Sequence, residues 1–408
     1  MKRYLAPHEA AVLAGDVRLV LRVDIEGELD EELLEKALAH LQACYPLLAG
    51  RFTAEGNRWL VEIDDTAPVP LLLGHGNDLE KEVNAASTWT PGPLLRITLV
   101  RTPIGTSLVM TLPRSFADAM SYLAIHRRFW TAYTALSRGE SIPVEVVQPV
   151  LGPALDDLLT ARFSPEQLND FVEQRARLDA DHTPAALPPL ASVNGGPGTD
   201  LTLATVHVEA DVDSTATLAR LAHEASLSVN SLVSGVLVAS LRSFLAPPTG
   251  PALVLCTSAV DLRRRLEPPI PAEVLQSAAT TTSMRLAVDA SATPLDIGRD
   301  ISHQLRADLE SGAAAMELAA FAHMIDQHPP TLVITNVGTI AEPELPDGLQ
   351  ITSTRLAPLG HLPMIFAVVG HYRRHLTVNL CYSRAWFTDA QIQDLGSKVS
   401  ATLHDLTA

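Results

Sequence analysis

The chain has 408 residues, enough for two cores of ordinary size, and 47% hydrophobic against 19% charged residues place it among folded rather than disordered chains. A formal net charge of −17 excludes a nucleic-acid partner, because phosphate binding needs a positive surface. No apolar run reaches membrane-spanning length, and the N-terminus MKRYLAPHEA lacks the apolar core of a signal peptide, so a cytoplasmic location with no membrane partner is expected.

Residues 19–25 alternate as a strand, with Leu19, Leu21, Val23 and Ile25 on one face. Asp30 is placed to cap a helix carrying Leu34, Leu38 and Leu41 on one side, and Pro46 marks that helix's end. RFTAEGNRWLVEI reads as a hairpin turning at Gly56. LLRITLV is a strand with Leu95, Ile97 and Leu99 on one side, and Gly105 turns the chain into SLVMTL. That segment runs into LPRSFADAMSY, residues 112–122, a loop between a strand and a helix.

Residues 183–199, TPAALPPLASVNGGPGT, read as a linker. Three regions are therefore expected: an N-terminal lobe over 1–178, a linker over 179–200 and a C-terminal lobe over 201–408. VHVEADVDSTATLARL echoes VDIEGELDEELLEKAL, which suggests two lobes of similar plan. Asn230 or Ser231 is expected to open a second, apolar helix. ALVLCTSAVDLRRRL is a strand, followed by an apolar helix near 301–324. The strands TLVITNVGTI and LTVNLCYS follow, then a terminal helix, FTDAQIQDLGSKVSATLHDL. This alternation gives an α/β or α+β class with mixed sheets, and periodicity does not choose between the two.

Cys44, Cys256 and Cys381 lie far apart in apolar stretches and read as reduced core residues, neither a disulfide framework nor a metal set. HMIDQH (His323, Asp326, His328) has unconvincing metal spacing, so no metal and no cofactor is expected. Ser115 and Ser121 flank the 112–122 stretch without a G-x-S-x-G elbow. Arginines cluster at Arg127–Arg128, Arg263–Arg265 and Arg373–Arg374, more simply solvated faces than docking patches.

Several segments, taken in order, resemble the acyltransferase superfamily of chloramphenicol acetyltransferase and nonribosomal peptide condensation domains. The nearest branch is the polyketide-associated acyltransferases of the phthiocerol dimycocerosyl transferase type. The resemblance is carried by RYLAPHEAAV, by GELDEELLEKALAHLQACYPLLAGRF with Tyr45-Pro46, by SVNSLVSGVLVASL, by SAVDLRRRLEPP and by TNVGTI. It implies two chloramphenicol acetyltransferase-like lobes, each a mixed sheet with helices, with a tunnel at their interface. It also implies a monomer that takes a small-molecule polyketide or acyl substrate, with an acyl or peptidyl carrier protein as a candidate partner.

The family's signature is HHxxxDG, whose second histidine acts as general base on the acceptor. Its aspartate pairs with an arginine and shapes the loop. The matching segment here is PRSFADA, residues 113–119. Asp118 is kept, while Pro113 and Arg114 replace the histidines and Ala119 replaces the glycine. The resemblance pairs Asp118 with Arg263, across the junction of the lobes.

Arginine stays protonated in proteins, so Arg114 cannot serve as the base, and losing that base removes about 10²–10⁴ in rate. A fixed guanidinium can instead stabilise an enolate, oxyanion or carboxylate, or anchor a substrate for cyclisation. Arg114 is the first catalytic candidate, and His361, in PLGHLPMIF, is the first choice for a relocated base, ahead of His126, His371 and His375. Pro113, Ser115, Phe116 and Asn336 are candidates to line the tunnel. Three functions stay open at this point: a cyclisation or rearrangement enzyme on this scaffold, an O- or N-acyltransferase with a relocated base, and a non-catalytic scaffolding protein.

Overall fold

The structure is a computed structural model, and it describes residues 2–63, 67–76, 78–87, 89–102, 105–148, 151–181, 183–187, 197–324 and 328–408. In chain order it begins with β1 (Lys2–Tyr4), α1 (Pro7–Ala14), β2 (Arg18–Glu26), α2 (Glu31–Cys44), β3 (Arg51–Glu55) and β4 (Arg58–Glu62). Next come β5 (Leu71–His75), α3 (Asp78–Val83), β6 (Arg96–Thr102), β7 (Gly105–Pro113) and α4 (Ala119–Ser137). Then follow α5 (Leu155–Thr160), α6 (Pro165–Asp181), β8 (Leu203–Ala210), α7 (Val212–Glu224), α8 (Val229–Arg242), β9 (Pro251–Asp261) and β10 (Ala279–Asp289). The chain ends with α9 (Pro294–Ser311), α10 (Ala313–Ala319), β11 (Leu332–Thr339), β12 (Gln350–Leu359), β13 (Phe366–Tyr372), β14 (His375–Ser383) and α11 (Asp389–Thr407).

Two compact units result. The first comprises Met1–Leu155, Arg263–Ala278 and Ile340–Gly360, and the second comprises Asp156–Leu262, Ala279–Thr339 and His361–Ala408. The division is not the consecutive one expected from the Pro/Gly-rich stretch, because two segments from the second half of the chain fold into the first unit. One of them holds β12, which pairs antiparallel with β2 from Gln350↔Glu26 to Leu359↔Arg18. Helix α6 runs past residue 178 and belongs to the second unit. Of the expected linker, residues 182 and 188–196 lie outside the described residues.

The first unit carries a mixed sheet of order β12-β2-β7-β6-β5, in which β5 and β6 are parallel, and a smaller sheet of order β1-β4-β3. Leu19, Leu21, Val23 and Ile25 are buried, as are Leu34, Leu38 and Leu41 of α2. The side chain of Asp30 accepts the Leu33 N–H at 3.1 Å, while its own N–H donates to the Tyr133 hydroxyl at 3.1 Å, which fixes the start of α2 against α4. Tyr133 in turn packs edge-on against Trp130 at 5.6 Å between centroids. The Thr134 hydroxyl donates to the Glu344 carbonyl at 2.7 Å, holding the 340–360 segment on α4.

The second unit carries a mixed sheet of order β10-β9-β11-β13-β14-β8, with β11 parallel to both β9 and β13. Helix α8 is buried along most of its length and meets α9 at glycines on both sides. A Cβ at Gly235 would stand 2.0 Å from the Pro294 carbonyl oxygen, and one at Gly298 would stand 2.8 Å from that of Ser231. Ser228 caps α8, its hydroxyl accepting the Ser231 N–H at 3.0 Å, so this helix opens before the expected Asn230 or Ser231. The helix expected near 301–324 is two helices, α9 and α10, broken at Gly312 with φ 79°. All three cysteines are free and buried, and burial pushes the Cys256 thiol up to about 12 and raises that of Cys381. No single helix among the described residues is long and apolar enough to cross a membrane.

Candidate active site

Strand β7 ends at Pro113, and the Arg114 N–H still donates across the sheet to the Val17 carbonyl at 3.0 Å. The chain then turns, with the Phe116 N–H on the Pro113 carbonyl at 3.3 Å, and α4 starts at Ala119. The carboxylate of Asp118 divides its two oxygens. Oδ1 caps α4 by accepting the Ser121 N–H at 2.9 Å and the Ser121 hydroxyl at 3.1 Å. Oδ2 accepts Nη2 and Nε of Arg263 at 2.9 and 3.2 Å, and the Ala278 N–H at 2.9 Å.

Arg263 also donates to the carbonyls of Pro271 and Gln276, at 2.7 and 2.6 Å. One buried ion pair thus ties the strand–helix loop to residues 271–278. Sequence order assigns Arg263 to a second lobe, whereas its contacts place it in the same unit as Asp118.

The Arg114 side chain is half-buried. Its Nη1 donates to the Ser277 hydroxyl and, at 3.3 Å, to the Ala117 carbonyl. Residues 276, 277 and 278 are therefore engaged in turn by Arg263, Arg114 and Asp118. Burial, and then the charge of Arg263, lower the proton affinity of Arg114, while the charge of Asp118 opposes them. The arrangement presents a positioned cation at the start of the loop between β7 and α4.

Pro113, Ser115 and Phe116 are buried. The Ser115 hydroxyl donates to the Glu9 carbonyl at 2.9 Å, and Phe116 packs on Phe52 at 5.8 Å and under the Arg3 guanidinium at 5.2 Å. Asn336 belongs to the second unit, where its Nδ2 donates to Asn230 Oδ1 at 3.0 Å and its Oδ1 accepts the Gly338 N–H at 2.7 Å. His361 begins the last segment of the second unit, half-buried in the loop between β12 and β13, and its Nδ1 makes no hydrogen bond among the described residues.

Other histidines have structural partners or positions. His126 is buried in α4 and accepts the Trp130 indole N–H on Nε2 at 2.9 Å, so its ring proton sits on Nδ1. Burial holds its imidazole down at about 4. His375 lies 2.8 Å from Glu209, and burial lowers the proton affinity of His371. Asp326 of the HMIDQH stretch lies outside the described residues, and no metal-ligand group of three or more gathers among the described ones. Arg127 and Arg128 face Glu273 and Glu145, each at 3.5 Å, and Arg373 and Arg374 form the turn between β13 and β14.

Sequence reasoning missed two groups at this site. Ser277 reaches Arg114 across 163 positions of chain. His8, in the first turn of α1, stands where the charge of Arg114 acts on its imidazole. Neither stands in a spacing that could have marked it.

Residues 200–368 match the family model described as the phthiocerol/phthiodiolone dimycocerosyl transferase C-terminus. No curated protein matches the chain by sequence. Among solved structures, polyketide synthase associated protein 5 from Mycobacterium tuberculosis is similar over 99% of this chain and 98% of its own, at 19% identity and TM-score 0.75. The trichothecene 15-O-acetyltransferase of Fusarium sporotrichioides is similar over 100% and 94%, at 16% identity and TM-score 0.80. The first condensation domain of the calcium-dependent antibiotic synthetase is similar over 100% and 97%, at 17% identity and TM-score 0.74.

Proposed function

We propose that this chain, whose residues 200–368 match the dimycocerosyl transferase C-terminal model and whose fold is that of the condensation and acyltransferase structures, is an enzyme of polyketide or nonribosomal-peptide biosynthesis whose reaction uses no histidine on the motif loop. It binds a polyketide or acyl-thioester substrate, delivered free or on a carrier protein, and catalyses a cyclisation or rearrangement. The guanidinium of Arg114 stabilises the enolate or oxyanion that develops on the thioester carbonyl.

The observation that supports this reading is a contrast within seven residues. The base position holds an arginine, yet the support of the loop is complete: Asp118 caps α4 and pairs with Arg263 and Ala278. A loop that had merely lost its use would have no reason to keep a buried ion pair, which orients more than it stabilises. A cyclisation suits such a site because folding the chain and stabilising charge supply most of the catalysis, without a strong base.

Calorimetric titration with S-acetoacetyl-N-acetylcysteamine tests the reading. Arg114→Ala is expected to weaken binding tenfold or more, by about 1.4 kcal/mol or greater. Equal affinities would remove Arg114 from the function.

Acyl transfer with a relocated base is a second reading, favoured by the match of residues 200–368 to a transferase model. Turnover of acyl-CoA with alcohol and amine acceptors decides it: product formed by the wild type supports transfer, and its absence favours the first reading.

A further inference from the structure

Ser277 lies just before β10, at the end of the 263–278 stretch that folds into the first unit, and it is 4% exposed. The residues on both sides of it are held. The Gln276 carbonyl accepts Arg263 Nη2 at 2.6 Å, and the Gln276 side-chain amide donates to the Pro153 carbonyl at 3.0 Å. The Ala278 N–H donates to Asp118 Oδ2 at 2.9 Å. Upstream, the Pro271 carbonyl accepts Arg263 Nη1 at 2.7 Å and the Val274 N–H at 3.2 Å. The backbone of Ser277 is thereby fixed, and one side-chain rotation remains, which aims its hydroxyl at Arg114 Nη1.

A guanidinium is flat, and the two hydrogens of a terminal nitrogen lie in its plane. Nη1 of Arg114 donates to the Ser277 hydroxyl and, at 3.3 Å, to the Ala117 carbonyl. Two acceptors on one nitrogen set both the direction and the plane of the cation. Ala117 belongs to the loop before α4, and Ser277 to the loop before β10. At 3.3 Å the Ala117 bond is at the long end of the range, so Ser277 supplies the tighter constraint.

We infer that Ser277 is the positioning residue of Arg114, holding the guanidinium in the orientation that meets an acyl-thioester oxygen before the ligand arrives. The inference deepens the proposed function and rests on it. An arginine side chain has many rotamers, and ordering it only on binding costs affinity. A cation already held gives its full attraction to charge that develops on the ligand. The Asp118–Arg263 pair then has a task besides the α4 cap: through Gln276 and Ala278 it sets where Ser277 stands. Ser277 acts through Arg114 and not on the substrate.

The test is calorimetric titration of S-acetoacetyl-N-acetylcysteamine into the full chain and its variants, with urea unfolding run alongside. Ser277→Ala is expected to bind about fivefold or more weakly than wild type. Ser277→Thr keeps the hydroxyl and should stay within about twofold. In the Arg114→Ala background, Ser277→Ala should weaken binding no further, because the group it positions is gone. Should Ser277→Ala not fold, Ser277→Cys takes its place, similar in size and only a weak acceptor. Where Arg114→Ala binds too weakly to compare, nitrogen NMR of the arginine side chains decides. The Arg114 Nη signals should be distinct in wild type and averaged by rotation in the Ser277 variant, and unchanged signals overturn the inference.

Wild-type affinity in Ser277→Ala beside a weakened Arg114→Ala overturns the inference and leaves the proposed function standing. So does a loss that is as large without Arg114 as with it, or one that Ser277→Thr shares. Equal affinities of wild type and Arg114→Ala, or no binding by the wild type, overturn the proposed function and the inference together.

Discussion

Asp118 and Arg263, separated by 145 positions in sequence, share a buried ion pair with Nη2 2.9 Å from Oδ2 and side chains only 4% and 2% exposed. That burial decides its energetics. Desolvation offsets most of the attraction between the charges, but removing one partner leaves the other buried and uncompensated.

Asp118→Asn should therefore destabilise the protein by about 3–5 kcal/mol in urea unfolding, which also includes part of the α4 cap. The double variant Asp118→Asn with Arg263→Met should cost less than the sum of the two single changes. Strict additivity would show that the two residues are not coupled.

His126 predicts an acid window. Its folded imidazole is held at about 4 against an ordinary value of 6.5, so between those values the unfolded chain binds the extra proton. Stability is unaffected by this group above pH 6.5 and falls as pH drops toward 4, by up to about 3 kcal/mol. Urea midpoints measured across that range should decline less steeply for His126→Gln than for wild type. Parallel slopes would show that His126 is not the group responsible.

The crossing of α8 and α9 leaves no room for a side chain at Gly235, where a Cβ would meet backbone oxygen at 2.0 Å. Gly235→Ala forces the helices apart, and the gain in helix propensity, about 1 kcal/mol, is smaller than an overpacking cost of about 1–3 kcal/mol or more. A net loss of stability is expected in thermal or urea unfolding, and a more stable variant would show that the helices can separate freely.

What the sequence revealed was what local rules govern. The alternation of Leu19 to Ile25, the Asp30 cap and the hairpin at Gly56 each depend on residues within one element, and each is present. The resemblance to the condensation and acyltransferase proteins rested on several segments in order, and it pointed to Asp118 and Arg263 as partners. Hidden from such rules was the return of distant segments. β12 is an edge strand whose partner β2 lies more than 300 positions earlier, and nothing in QITSTRLAPL announces that pairing.

The same limit applies at the site. Arg114 stood out as a candidate because a motif has numbered positions. Ser277 reaches it only through the tertiary path, by way of the 271–278 loop. The first unit is assembled from three stretches of chain, and a Pro/Gly-rich linker marks only where chain composition changes, not where its contacts divide.

The central claim is that Arg114 is the acting cation of a working site, and a structure with S-acetoacetyl-N-acetylcysteamine bound tests it most directly. The predicted result is an oxygen of the thioester or ketone within about 3 Å of the Arg114 guanidinium, at hydrogen-bonding distance. A ligand bound with its carbonyl oxygens elsewhere, while Arg114 keeps its bonds to Ser277 and Ala117, would contradict it.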